Sequence, residues 1–181
     1  MSSMGFFKRW LGGADASAPR TSGRRQAPVG TRMLVVDDSP TICAVLGRML
    51  EQDGYAVRKA ADGEHALELA KAELPELIFL DIVLPGINGF AVLRALRHDP
   101  LTAHIPIVMI SGNQQATEQF YVQRYGADGF MKKPFGRAEV QASIDVLVRA
   151  GRLPARAAEP LVAATPAPVE IMHDVVSGMA A

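Results

Sequence analysis

The feature that most limits the folds open to this chain is a regular alternation of two hydrophobic periods across residues 31–150. Short apolar runs recur at 33–36, 56–60, 77–80, 105–110 and 129–131, the second and fifth being the weakest. Between them the apolar positions change to the spacing of a helix. Ile42, Val45, Leu46 and Met49 fall at i, i+3, i+4 and i+7, behind Ser39 as N-cap and Pro40 at the first helical position. Ala66, Leu67 and Ala70 mark a second helix, Phe90, Leu93 and Leu96 a third, Ala116 and Phe120 a fourth, and Val140, Ile144, Leu147 and Val148 a fifth. Gly54, Gly86, Gly89 and Gly126 stand where the chain must turn. Strict alternation of strands and helices predicts an α/β fold, a five-stranded parallel sheet with helices on both faces and right-handed crossovers. The run at 77–80, apolar throughout, fits a strand buried on both sides.

The flanks read differently. Residues 1–30 hold five basic residues against Asp15 and become rich in Gly, Ala, Ser and Pro after Gly12, which predicts a basic, flexible arm. Within it, Phe6, Phe7, Trp10 and Leu11 share one side of a helical wheel and Lys8 and Arg9 the other, so residues 5–12 could form a short amphipathic helix that contacts a partner protein or a membrane surface. Residues 151–181 carry Pro154, Pro160, Pro166 and Pro168 among alanines and read as a loose tail. The 49% hydrophobic content supports a packed core between these flanks. Nineteen Lys plus Arg balance nineteen Asp plus Glu, so charge gives no reason to expect nucleic acid as the main partner. Cys43 is the one cysteine, which excludes an intramolecular disulfide and a Cys-based zinc site. No apolar run approaches the ~20 residues of a membrane span, and a cytoplasmic protein is expected, with recruitment to the inner membrane or a cell pole through the arm.

In a sheet of this kind ligands bind beyond the carboxyl ends of the strands, so the polar residues that close each run are the candidates for chemistry. They are Asp37 and Asp38 after the first run, Asp81 after the third, Ser111 after the fourth, and Lys132 and Lys133 before Pro134 after the fifth. Three carboxylates on one rim repel unless a cation intervenes, and an all-oxygen donor set with room for water suits Mg²⁺. A nearby ammonium and hydroxyl could hold the oxygens of a phosphoryl group carried by one carboxylate.

At these positions the chain resembles the response-regulator receiver domain. The matching stretches are Val35-Val36-Asp37-Asp38-Ser39, Leu80-Asp81-Ile82-Val83-Leu84-Pro85-Gly86-Ile87-Asn88-Gly89, Ile110-Ser111-Gly112 and Met131-Lys132-Lys133-Pro134-Phe135. The resemblance implies a flavodoxin-like (βα)5 fold with strand order 2-1-3-4-5 over residues 31–150. It implies Asp81 as phosphoacceptor, Asp37 and Asp38 together with Asp81 and the Val83 backbone carbonyl as Mg²⁺ ligands, Ser111 as the switch hydroxyl and Lys133 as the lysine that contacts phosphate. It further implies a cis peptide between Lys133 and Pro134 and Phe130 as the switch aromatic. Phe130 lacks a hydroxyl, so its two positions would differ in burial rather than in a hydrogen bond. Within the family, the stretches around Asp38 and Asp81 are similar to regulators of the chemosensory systems of type IV pilus twitching motility.

The expectation is therefore a stand-alone regulator that receives phosphate from a histidine kinase and changes the face built from the fourth helix, fifth strand and fifth helix, on which an effector protein docks. No enzymatic turnover is expected beyond slow self-dephosphorylation. A regulator of transcription that grips DNA through the basic arm is the rival reading, and five cations without a reading helix would give only weak, salt-sensitive contact. A phosphatase-like enzyme with Asp81 as nucleophile is a third. His65, His98, His104 and His173 lack metal-ligand spacing and are expected at the surface or in packing roles.

Overall fold

All five apolar runs form strands in the computed structural model, which describes residues 24–112 and 124–156. They are β1 (Arg32–Val36), β2 (Ala56–Ala60), β3 (Leu77–Asp81), β4 (Ile107–Ser111) and β5 (Gly129–Lys132). All neighbours pair in parallel, in the order β2-β1-β3-β4-β5, as the resemblance implied. The chain order reverses between β1 and β3, which opens a crevice beyond their carboxyl ends. The fourth strand starts at Ile107 rather than Ile105 because Pro106 has no N–H to give the ladder; its carbonyl instead accepts from Ile78 N at 3.0 Å.

The described helices are α1 (Pro40–Gln52), α2 (Gly63–Glu73), α3 (Gly89–His98) and α4 (Arg137–Arg149). The helix expected around Ala116 and Phe120 lies outside the described residues, so the expected fifth helix is α4 here. Ser39 caps α1 as its position predicts, its hydroxyl accepting from Ile42 N at 3.4 Å with Pro40 next to it. Asp62 and Asn88 do the same for α2 and α3, accepting from His65 N at 2.8 Å and Ala91 N at 3.0 Å.

Successive side chains of a strand face opposite sides, so one sheet supports two cores. Met33, Val35, Phe79, Val108 and Ile110 pack with Cys43, Leu46 and Leu50 of α1 and Val140, Ile144 and Leu147 of α4. Leu34, Val36, Ile78, Leu80 and Met109 pack with Ala66 and Ala70 of α2 and Val92, Leu93 and Leu96 of α3. Every residue of β3 and β4 is buried. The edge strand β2 is mostly exposed and carries Arg58 and Lys59, paired with Glu73 and Glu51, charges that discourage strand addition.

Packing reaches beyond the 31–150 range that composition marks out. Ala27 and Leu153 are buried members of the α1/α4 core, and residues 24–30 and 151–156 bond to the domain. Small or isolated apolar residues in Gly- and Pro-rich sequence carry no periodic signal, which is why patterning passes over them. The amphipathic stretch at 5–12 and the rest of the tail lie outside the described residues. Among the described residues no helix is long and apolar enough to cross a membrane.

Candidate functional site

Parallel strands bring the polar residues that close them to one rim. Asp37 and Asp38 follow β1, Asp81 and Ser111 are the last residues of β3 and β4, and Lys133 follows β5. One carboxylate oxygen from each of Asp37, Asp38 and Asp81 lies within 4.8 Å of the other two, and this is the one such acidic grouping among the described residues. Asp37 and Asp81 are buried and Asp38 is exposed at the mouth.

Local structure holds each acid in place. Asp37 Oδ1 accepts from Ser39 N at 2.9 Å, a turn that leads straight into the capped start of α1. The Cys43 thiol donates to the Asp37 carbonyl at 3.2 Å from the first turn of that helix. Burial, followed by the Asp37 charge, pushes the thiol pKa up, so Cys43 stays protonated and serves as donor rather than nucleophile. Asp81 Oδ1 accepts from Val83 N at 3.3 Å. Gly89 permits the loop after Asp81 to fold back: a Cβ there would lie 2.1 Å from the Asp81 carbonyl oxygen. Gly89 N donates to Ile82 O at 3.0 Å, which closes the loop.

Lys133 ties the two buried acids together. Its Nζ donates to Asp81 Oδ2 at 2.8 Å and lies 2.7 Å from Asp37 Oδ2. The second contact is an ion pair without hydrogen-bond alignment, so Asp37 Oδ2 is a buried oxygen on which no donor is aligned among the described residues. A buried anionic oxygen in that condition has capacity for a cation, and a small, hard, oxygen-preferring divalent ion fits this donor set. Burial pushes the Asp81 carboxyl above the usual carboxylate range; Lys133 opposes this and the Asp37 charge reinforces it. Burial pulls the Lys133 ammonium down, but its contacts with Asp37 and Asp81 outweigh that and hold it above the usual lysine value.

The remaining expected residues are placed as follows. Ser111 is fully buried at the end of β4, its carbonyl accepting from Lys133 N at 2.7 Å. The Lys133–Pro134 peptide is cis. Phe130 is buried in the α2/α3 core, on the side of the sheet away from α1. The Val83 side chain is exposed beside the site while its N–H is held by Asp81. Asp37, Asp38, Asp81 and Lys133 thus form one cluster, with Ser111 adjoining through the backbone. In the sequence Gly89 marks only a turn, and Cys43 only excludes a disulfide and a Cys-based zinc site. No side-chain pattern announces either the thiol's bond to a carbonyl or the close approach of two backbones. His65, His98 and His104 join no metal-binding group among the described residues, and His173 lies outside them.

A crevice of three acids and a lysine at the switch point of a 2-1-3-4-5 sheet defines a class. The family description "Response regulator receiver domain" matches residues 33–145, and the chain belongs to that family. It carries the receiver domain of a two-component response regulator. It is 37% identical over 117 residues to Protein PilH of Pseudomonas aeruginosa, a match that covers 65% of this chain and 97% of PilH. It is 38% identical over 128 residues to the alkaline phosphatase synthesis transcriptional regulatory protein PhoP of Bacillus subtilis, covering 71% of this chain and 52% of PhoP, about half that protein's length. Among solved structures, the receiver domain of the sensor histidine kinase PA1611 from Pseudomonas aeruginosa PAO1, with a magnesium ion coordinated in its active site cleft, aligns with a TM-score of 0.60 at 30% identity over 67% of this chain and 97% of that one. The chemotaxis response regulator CheY4 of Vibrio cholerae aligns with a TM-score of 0.58 at 28% identity over 68% and 98%.

Proposed function

We propose that Asp81 takes a phosphoryl group from a histidine kinase, and that the modified site controls an effector protein. The observation that carries this reading is the Lys133 ammonium set between the buried carboxylates of Asp37 and Asp81, with the Asp38 carboxylate grouped beside them at the mouth. An Asp81 carboxylate oxygen attacks phosphorus, the bond from phosphorus to the kinase histidine nitrogen breaks, and the histidine leaves with that electron pair. Mg²⁺ held by Asp37, Asp38, Asp81 and the Val83 carbonyl would supply neutralisation of the charge on the transferring group. Lys133 shifts its hydrogen bond from Asp81 to a phosphoryl oxygen, keeping its charge paired. Ser111 donates its hydroxyl to another oxygen, and Phe130 adjusts to the space beside it. The face built from β5, α4 and the segment expected to form the fourth helix then binds its effector with a different affinity.

No turnover of an external substrate is proposed, only slow self-hydrolysis of the aspartyl phosphate. The resemblance of the stretches around Asp38 and Asp81 to regulators of type IV pilus chemosensory systems, together with a likeness that spans nearly all of PilH, supports a role in such signalling with a protein, rather than DNA, as the direct target. The proposed location is the cytoplasm, with the amphipathic stretch at residues 5–12 of the basic arm as the segment that recruits the protein to a partner or membrane surface. Incubation with acetyl phosphate and Mg²⁺ tests the reading. Intact-mass measurement is expected to find one phosphoryl group on the wild type and none on Asp81→Asn, and equal labelling of that variant would overturn the assignment.

A further inference from the structure

Residues 24–30 and Arg156 flank the stretch that matches the family, yet they hold one of its helices. Arg156 is the centre of the arrangement. Its Nε donates to Ala27 O at 3.0 Å, Nη1 to Gln26 Oε1 at 2.6 Å and Nη2 to Asp53 O at 2.8 Å, while its backbone N donates to Gln26 O at 2.6 Å. The guanidinium also sits 5.9 Å from the Tyr55 ring centroid. Ala27 is fully buried between these partners and the core.

Asp53 and the residues adjoining the bonded segment, Arg24, Arg25 and Gln52, in turn grip α4 at every fourth residue. Arg137 bonds Gln52 Oε1 at 2.7 Å and pairs with the Asp53 carboxylate. Gln141 accepts from Arg24 Nη1 at 2.8 Å, and Asp145 accepts from Arg25 N at 2.6 Å. Positions 137, 141 and 145 lie on one face of the helix, so three rungs oppose its rotation or sliding. Exposed rungs contribute little singly. Arg156, however, satisfies two backbone carbonyls at part-buried positions, and these would lose a partner if the clasp opened.

We infer that residues 24–30 and Arg156 form a clasp that holds α4 against α1 whether or not Asp81 carries a phosphoryl group. This rests on the reading of Asp81 above and narrows it: α4 is a fixed wall of the output face, and rearrangement is confined to the other elements. α4 begins only a few residues after Lys133, the group that changes partner, so without the clasp it would be the helix most directly exposed to that change.

Hydrogen exchange of the full-length chain, with and without acetyl phosphate and Mg²⁺, tests the inference, with intact mass of the same samples reporting phosphorylation. Exchange across residues 137–149 in the wild type is expected to be the same in both states. In Arg156→Gln it is expected to be about tenfold faster even without phosphate, the effect of losing one or two hydrogen bonds from a locally opening unit. Deletion of residues 1–30 removes Arg24 and Arg25 and is expected to do the same, with circular dichroism confirming that each variant folds. A phosphate-dependent change at 137–149 in the wild type, or unchanged exchange there in both variants, would overturn the clasp. Failure of the wild type to accept phosphate would instead overturn the reading of Asp81, and the comparison of unphosphorylated variants would still decide whether the clasp exists.

Discussion

Lys133 Nζ donates to Asp81 Oδ2 across 2.8 Å, and the same ammonium is the nearest opposite charge to Asp37 Oδ2, 2.7 Å away. One cation therefore neutralises part of two buried anions that would otherwise face each other. Lys133→Ala removes that neutralisation. In magnesium-free buffer at neutral pH it is expected to lower stability by roughly 1–3 kcal/mol, the cost of buried polar groups left without their partner. Urea denaturation with EDTA checks this. Phosphoryl labelling is expected to persist in the variant while the phosphate-dependent gain in effector affinity falls.

The Asp81 carboxyl has a raised folded-state pKa, so the native chain holds that proton more tightly than the unfolded one. Its contribution to stability is present below the ordinary aspartate value of about 3.9 and is lost as pH rises through the folded value. Asp81→Asn abolishes this dependence. In EDTA, the stability of Asp81→Asn relative to wild type is expected to increase from pH 4 upward and to level off once the wild-type carboxyl is fully ionised. A difference that stays constant across this range would contradict the assignment of the shift to Asp81.

Gly89 is required by proximity rather than by its dihedral angles. An added methyl would meet the Asp81 carbonyl oxygen at 2.1 Å and the Ile82 Cα at 2.9 Å, both backbone atoms with little freedom to yield. Gly89→Ala is expected to cost about 1–3 kcal/mol through overpacking. It is also expected to slow phosphorylation, because the loop that carries Val83 must move away from Asp81. Labelling kinetics and a denaturation curve on the same preparation check both parts.

The opposite sign is expected at Gly47, within α1. There an added methyl would meet the Cε of Lys59, the far end of a flexible side chain that can swing aside. The only described ion pair lost is the exposed Lys59–Glu51 contact at 3.6 Å, one of a kind whose median worth is about 0–1 kcal/mol. Gly to Ala in a helix interior gains about 0.8–1 kcal/mol. Gly47→Ala is therefore expected to raise the denaturation midpoint slightly, with phosphorylation unchanged.

How much of this could be read in advance depended on whether the relevant physics is local in the chain. Ser39 and Pro40 announce the start of α1 because capping is settled within one turn, and the entirely apolar 77–80 run announces a central strand because both its faces are covered. Asp37, Asp38, Asp81 and Lys133 were legible because each directly follows a strand whose direction was already set. Arg156 was not, since its partners are the carbonyls of Ala27 and Asp53, groups every residue possesses. Ala27 was passed over because a small residue among prolines and glycines looks the same whether it is buried or free. The Cys43 thiol's support of the Asp37 turn was not legible either, because it depends on three-dimensional proximity alone.

The clasp has a topological consequence. Arg156 N and Gln26 O are 2.6 Å apart, so the two ends of the described fold are neighbours and the path of the chain is almost a closed ring. They meet at the amino edge of the sheet, roughly 15 Å from the carboxylates given five-residue strands at about 3.3 Å per residue. A short linker joining residue 156 to residue 24 would complete the ring without crossing the crevice, and the chain could be reopened at another surface turn. Cargo attached at residue 24 or at residue 156 would likewise hang from the same edge, leaving the acidic rim open.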